Sequence, residues 1–270
     1  MRLPLLDIAD WRSNPKAFAE ALRHACHVSG FFQLRHRMPP NVAQHAMKQA
    51  REFFLRPLEE KQKISYSNSP AFRGYMSNGV ENTAGLPDLR EQIEIAAEGH
   101  AVASDAWPPY KRLTGPNQWP GGQPELRHAI ELYTKHMLTV SQELTHALCM
   151  AIGLQAGAID HLFTPTPHWQ LKLASYQPAS SRTVEEKTIG VGPHTDSGFL
   201  TLLLQDDSGG LEAFTQGGWA EVPPLGNDVV VCNLGEVCQM MTNGYLLATP
   251  HRVLSTPHAR LSIPFFYNPA

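Results

Sequence analysis

The stretch PHTDSGF (193–199) places His194 and Asp196 two residues apart, immediately before the apolar run LTLLLQ. Side chains at i and i+2 of an extended chain point the same way, so this imidazole and carboxylate would share one face. Such a pair is either a polar couple at the rim of a sheet or two ligands of one metal ion. With 13 histidines in 270 residues, a His-x-Asp triplet is weak evidence by itself. One carboxylate and two imidazoles around a metal require a second histidine, and both His251 and His258 follow in the chain. His251 opens the alternating stretch HRVLS, where a strand would hold its ring rigidly; His258, in STPHAR, reads as a surface turn residue. His251 is the expected partner.

The segment RLSIPFFY (260–267) has period two. Leu261, Ile263, Phe265 and Tyr267 form a wholly apolar face that must pack on a core. Arg260, Ser262, Pro264 and Phe266 then look the other way, into a barrel interior. A buried guanidinium is costly unless a carboxylate meets it, best in a two-pronged fork. No acidic residue stands at a matching place in the neighbouring strand segments, which invites an anionic ligand; a structural salt bridge to Asp228 or Glu236 is the alternative. LKLASYQP (171–178) repeats the pattern, with Lys172, Ala174 and Tyr176 on one face. An inward cation and phenol suit a polar pocket, although a rim lysine and a core tyrosine would look the same.

Positioning these groups takes a substantial scaffold. The chain has 42% hydrophobic and 17% charged residues, the balance of an ordinary globular protein with ample core material. A net charge of −3 without a long run of either sign favours neither nucleic acid nor an anionic membrane as partner. Asp7 and Asp10 interrupt the apolar N-terminus, unlike a signal peptide, and no 18-residue apolar stretch predicts a transmembrane helix. Cys26, Cys149, Cys232 and Cys238 are scattered without a C-x-x-C pair, as expected of free buried thiols in a cytoplasmic protein. The phosphate-loop, G-x-G-x-x-G, G-x-S-x-G and H-E-x-x-H patterns are absent, which argues against phosphoryl transfer, hydride transfer and serine hydrolysis.

The first half reads as mainly helical and the second as mainly strands. NPKAFAEALRHACHVSG begins with Pro15 near its start and stops at Gly30, and NVAQHAMKQAREFFLR ends before Pro57; both have helical spacing. GFFQLRH between them reads as a short strand. Residues 67–123 are rich in Gly, Pro, Ser and Asn and predict long loops with short strands, and 124–154 is the longest helical pattern. After Pro167, WQLKLASY, FLTLLLQ, GLEAF, WAEVPP, DVVVCNL, HRVLS and RLSIPFFY recur with turn residues between them, the texture of an all-β sandwich or barrel. Asn243-Gly244 is a strong turn signal, and the polar stretch 178–187 predicts a mobile loop. The expectation is one domain over 1–270 of mainly β, α+β class. Within it lie a helical and loop region (1–123), a supporting helix (124–154) and a β core (167–267).

HTD at 194–196, TNGYLLATPHRV at 242–253 and RLS at 260–262 together resemble the Fe(II)- and 2-oxoglutarate-dependent oxygenases of the isopenicillin N synthase-like group. That signature is H-x-D, a histidine some 55 residues on, then R-x-S nine residues later; here the separations are 57 and 9. LPLLDIADW, HACHVSGFFQL and FFLRPLEEKQK extend the resemblance over residues 3–267. It implies a double-stranded β-helix (jelly roll) with Fe(II) held by His194, Asp196 and His251. It further implies 2-oxoglutarate bound at its distal carboxylate by Arg260, Ser262 and Tyr176, and dioxygen consumed in oxidising, by default hydroxylating, a small polar or anionic metabolite. In this group the stretch AFRGYMSNG (71–79) often reaches over the iron. Phe72, Arg73 and Tyr75 are therefore expected to bind substrate together with Lys172 and Phe266, although an arginine stacked on Tyr75 merely to order a loop would give the same sequence. A cytoplasmic monomer is expected. Two departures stand out: RHR (35–37) replaces the usual Asn-His-Gly turn, and the sequence stops at Ala270, where many relatives continue into helices covering the site. A 2-oxoglutarate-independent oxidase with the same R-x-S, or a non-catalytic metal-binding jelly roll, would share much of this pattern.

Overall fold

Asn14 accepts a hydrogen bond from Ala17 N–H and is followed by Pro15, a combination that starts a helix at Pro15–Val28. The computed structural model describes residues 3–178 and 189–270 apart from Ala84, Ser104 and Ala106. All but Pro178 of the polar stretch 178–187 lies outside them.

The chain opens with β1 (Leu5–Asp7), α1 (Ile8–Ser13), α2 (Pro15–Val28), β2 (Phe31–Arg35), α3 (Pro40–Phe54) and α4 (Leu58–Gln62). It continues with β3 (Gly74–Met76), the short hairpin β4 (Asn82–Thr83) and β5 (Leu86–Pro87), β6 (Arg90–Ala96) and the long α5 (Pro124–Ala151). Then follow β7 (His168–Tyr176), β8 (Ile189–His194), β9 (Leu200–Gln205), β10 (Leu211–Thr215), β11 (Gly218–Glu221) and β12 (Val229–Leu234). A short α6 (Glu236–Met241), β13 (His251–Leu254) and β14 (Arg260–Asn268) complete it.

Two sheets face each other. The larger has the order β1-β2-β12-β9-β14-β7-β6-β3 and the smaller β11-β10-β13-β8. Leu171 and Leu173 of β7, Leu200, Leu202 and Leu204 of β9, and Leu261, Ile263, Phe265 and Tyr267 of β14 turn outward and share one core with α2, α3 and α5. Ala174 and Tyr176 of the larger sheet meet Val191, Leu211, Ala213 and Val253 of the smaller one in a second cluster inside the barrel. Burying each large apolar side chain contributes roughly 1.5–3 kcal/mol. A one-residue slip of β14 would exchange Leu261, Ile263, Phe265 and Tyr267 for Arg260, Ser262, Pro264 and Phe266, so its register is fixed by the helices behind it.

The β core is wider than the sequence suggests. β1, β2, β3 and β6, all from the N-terminal part, supply half of the larger sheet. The run GEVCQMM, which carries no helix-length pattern, forms α6, and the Asn243-Gly244 turn closes that helix rather than a hairpin.

A candidate iron centre between two sheets

His194 is the last residue of β8 in the smaller sheet, whereas the apolar run after it is β9 in the larger one. The segment carrying Asp196 is therefore a crossing between sheets, not the start of one strand as the spacing suggests. It is fastened to the first turn of α6, where Glu236 N–H donates to Asp196 O at 2.8 Å and Val237 N–H to Gly198 O at 3.0 Å. Gly235 makes the approach possible, since a Cβ there would stand 2.2 Å from Gly198 O. His251 arrives by β-pairing: it faces His194 directly across the antiparallel β13–β8 pair. The chain leading to it passes over Gly30, whose φ of +64° turns α2 into β2 and whose missing Cβ leaves room for Leu247 O. His258 is exposed at the surface, as the sequence indicates.

Asp196 Oδ1 lies 3.9 Å from His194 Nε2 and 3.7 Å from His251 Nε2, and the three ligand atoms fall within 4.8 Å of one another. Two donors about 2.0–2.2 Å from one ion stand at most about 4.4 Å apart, so both measured pairs can share a metal. The remaining polar atoms of each residue are already engaged. His194 Nδ1 lies 2.8 Å from Gly192 O and His251 Nδ1 lies 3.2 Å from Thr249 O. A carbonyl accepts only from a protonated nitrogen, which leaves each Nε2 lone pair free for a metal. Asp196 Oδ2 accepts from Thr201 Oγ1 at 2.5 Å and from Asn233 Nδ2 at 2.7 Å, leaving Oδ1 for the ion. Burial pushes the Asp196 carboxyl up, but His251 and these two hydrogen bonds outweigh it and hold it below the ordinary range. Burial likewise keeps His251 below the usual imidazole value, favouring the neutral ligand form.

Beside this centre an inner chamber of about 60 Å³ contains Arg260, Ser262, Tyr176, Pro264 and Phe266. The period-two reading of β14 thus holds. Arg260 is buried; its Nε donates to Gly209 O (2.9 Å), Nη1 to Ser262 Oγ (3.0 Å) and Nη2 to Gln205 Oε1 (3.2 Å). No carboxylate bonds it among the described residues: Asp228 is taken by Arg35 and Glu236 by Thr195. Its guanidinium lies over the Tyr176 ring, 4.9 Å from the centroid.

The chamber adjoins a wider basin of about 930 Å³, and six residues line both: Arg90, Val191, His194, Asp196, Thr201 and Phe266. Lys172 faces the basin as expected, but its ammonium is held by Glu81 Oε1 (2.7 Å) and Glu94 Oε1 (2.9 Å).

The AFRGYMSNG stretch is placed differently from the expectation. Phe72 is 55% exposed and has φ +57°, so the chain turns there instead of running past the iron. Tyr75 is buried in the helical core against Phe53, its hydroxyl donating to Glu91 at 2.8 Å, and the cation at its ring is Lys61. Arg73 is buried and donates to Leu113 O at 2.7 Å. None of the three lines the chamber or the basin.

Four further residues belong to the site: Thr201 and Asn233 on the carboxylate, and Glu81 and Arg90 at the mouth. Thr201 alone carried a sequence signal, as the one polar residue on the inward face of FLTLL. The others depend on pairings far apart in the chain.

Residues 168–269 match the model of the 2OG-Fe(II) oxygenase superfamily, and residues 3–122 that of the N-terminal region described as non-haem dioxygenase in morphine synthesis. The chain is 36% identical to the 2-oxoglutarate-dependent dioxygenase frbJ of Dothideomycetidae sp. (strain 11243), covering 98% of this chain and 73% of the relative. It is 32% identical to a homoarginine-6-hydroxylase of Glycine max, covering 92% and 76% respectively. Among solved structures, a full-length Neurospora crassa protein in complex with alpha-KG and thymine matches with a TM-score of 0.82 at 26% identity, over 99% of this chain and 86% of that one. JOX2 in complex with 2OG, Fe and JA matches with a TM-score of 0.79 at 26% identity, over 100% of this chain and 75% of that one.

Proposed function

Because the chain belongs to the 2OG-Fe(II) oxygenase superfamily, we propose that His194, Asp196 and His251 hold its Fe(II) and that Arg260, Ser262 and Tyr176 take the distal carboxylate of 2-oxoglutarate. The protein is a 2-oxoglutarate-dependent dioxygenase. The observation that carries the site assignment is the convergence of two imidazole Nε2 atoms and one carboxylate Oδ1 whose companion atoms are all hydrogen-bonded elsewhere. Two imidazoles and one carboxylate suit Fe(II) and leave coordination positions open. Bound there, Fe(II) and 2-oxoglutarate supply dioxygen activation: 2-oxoglutarate leaves as succinate and carbon dioxide while a substrate C–H bond is oxidised, most simply to an alcohol.

The protein's own groups then have separable tasks. Thr201 and Asn233 orient the carboxylate ligand, and the two backbone carbonyls fix the imidazole tautomers. Arg260 meets the dicarboxylate with a guanidinium that has no acidic partner among the described residues, and Tyr176 fixes the plane of that guanidinium. Val191, Leu203, Leu211 and Val253 exclude water from the chamber.

The substrate is a small polar molecule that enters through the basin. Its wall offers Gln170, Asn82, Asn268 and His168 for hydrogen bonding, whereas the charges of Lys172 and Arg90 are already matched by Glu81, Glu94 and Asp88. That lining favours the polar over the anionic side of the expected substrate range. Phe266 forms the apolar wall next to the metal, and hydroxylation is the outcome we assign, as in the relative named for homoarginine. We also take the protein to act as a cytoplasmic monomer without a nucleic-acid or membrane partner. Its four buried free thiols and modest net charge support this, and light scattering tests the oligomeric state. Incubation with Fe(II), ascorbate, 2-oxoglutarate and a panel of polar metabolites, reading succinate and the oxidised product by mass spectrometry, tests the whole reading. Succinate that no panel member stimulates above the uncoupled background would count against the substrate class.

A further inference from the structure

Arg90, Tyr176 and Arg260 form a transverse row across three neighbouring strands. In β6–β7 Arg90 stands directly opposite Tyr176, and in β14–β7 Arg260 stands opposite the same tyrosine. Directly opposed residues of antiparallel strands put their side chains on one face, so all three enter the same chamber. The two cations differ in their partners. Among the described residues Arg260 has only neutral acceptors. Arg90 is neutralised from behind by Glu81 (2.5 Å) and Asp88 (3.1 Å), both reached through Nη2. Its Nη1 lies 3.4 Å from the Tyr176 hydroxyl oxygen.

We infer that Arg90 is a positioning residue for the cosubstrate, acting through Tyr176. A phenol that receives an N–H on its oxygen must turn its own proton elsewhere, and Arg260 and Ser262 are the residues that stand beside this hydroxyl on the chamber side. Arg90 therefore sets Tyr176 as a donor toward whatever anion Arg260 holds. Because Glu81 and Asp88 hold its Nη2 from the other side, Arg90 orients the phenol without turning toward the dicarboxylate that Arg260 takes. The two guanidiniums also keep the Tyr176 hydroxyl more acidic than usual against the opposing effect of burial, which strengthens it as a donor. This inference rests on the assignment of Arg260 and Tyr176 to 2-oxoglutarate.

The test is a double-mutant cycle on 2-oxoglutarate binding, measured calorimetrically on the full-length protein loaded with Fe(II) in the absence of dioxygen, so that no turnover occurs. Arg90→Met and Tyr176→Phe are each expected to weaken binding about fivefold, and the double variant no more than about twofold beyond either single one. Asp88→Asn loosens the other side of Arg90 without touching Tyr176 and should leave the affinity within about twofold of wild type. Multiplying effects of Arg90→Met and Tyr176→Phe would overturn the inference, as would a loss in Asp88→Asn equal to that in Arg90→Met. If Arg90→Met does not fold, Arg90→Gln, which keeps a polar side chain toward Glu81 and Asp88 but is too short to reach the Tyr176 hydroxyl, stands in its place under the same criteria. Unchanged binding in Arg260→Lys would instead sink the cosubstrate assignment itself, a result distinguishable from failure at Arg90 alone.

Discussion

Asn233 donates to Asp196 across 2.7 Å, and it does so to Oδ2, the oxygen opposite the one that approaches the two imidazoles. Thr201, which faces Asn233 directly in the β12–β9 pair, donates to the same atom. A polar couple spanning two strands thus aims a carboxylate that belongs to neither. Support of this kind is typically worth about 10–100-fold in metal affinity. Asn233→Ala is expected to lose at least tenfold in Fe(II) affinity, followed by anaerobic titration, with little change in helix content by circular dichroism. Unaltered affinity would remove Asn233 from the site.

The three proposed ligands should be individually indispensable. Alanine at His194, Asp196 or His251 is expected to abolish turnover and to leave a folded protein with little bound iron, read by metal analysis after desalting. His258→Ala, at the exposed turn, should match wild type on both measures. Activity surviving in His251→Ala would mean that another residue completes the site.

Replacing Arg260 by lysine keeps the charge and loses the fork. Charge-assisted hydrogen bonds contribute roughly 1.5–3 kcal/mol each, so losing one corresponds to at least a tenfold rise in the KM for 2-oxoglutarate. Iron content should not change. A KM shift confined to the organic substrate would transfer Arg260 to the substrate side.

Lys61 and Glu91 form a buried ion pair at 2.6 Å, completed by the Tyr75 hydroxyl and Phe54 O. Removing one partner strands the other charge, at a cost of about 3–5 kcal/mol, whereas removing both together often costs little. Lys61→Met should lower the urea midpoint strongly, and Lys61→Met combined with Glu91→Leu should recover most of the loss. A double variant as unstable as the single one would contradict this account.

Glu81 gives an acid-side signature. Burial pushes its carboxyl up, but Lys172 and Arg90 outweigh this and hold it at about 2. A glutamate in the unfolded chain titrates near about 4.3. The folded value is the lower one, so the stabilisation is complete above the unfolded pKa and disappears as pH falls through the folded one. The stability difference between wild type and Glu81→Gln should therefore be constant near neutrality and shrink between about pH 4 and pH 2, measured by urea unfolding. A difference that persists unchanged at the acid end would mean that the ion network adds nothing.

Sequence alone determined whatever the local backbone period dictates. Strand geometry sends alternate residues to opposite faces, so the apolar set Leu261–Tyr267 had to turn toward a core and Arg260 with Ser262 had to turn away. The helix at Pro15–Val28 was legible for a comparable reason, because its cap, its proline and its apolar spacing are all local. His194, Asp196 and His251 were legible only through their spacing along the chain. Tertiary structure decided how they meet. Asp196 sits on a crossing between sheets, and His251 reaches His194 through pairing of β13 with β8. Asn233 and Arg90 gave no signal, because each acts through a strand register that joins it to distant residues, Thr201 and Tyr176. Tyr75 shows the limit most plainly. Its type and neighbours suit a binding loop, yet a buried lysine and glutamate from other elements draw its hydroxyl into the core. Local periodicity fixes which face a side chain takes, but only the packing of remote strands and helices fixes what that face meets.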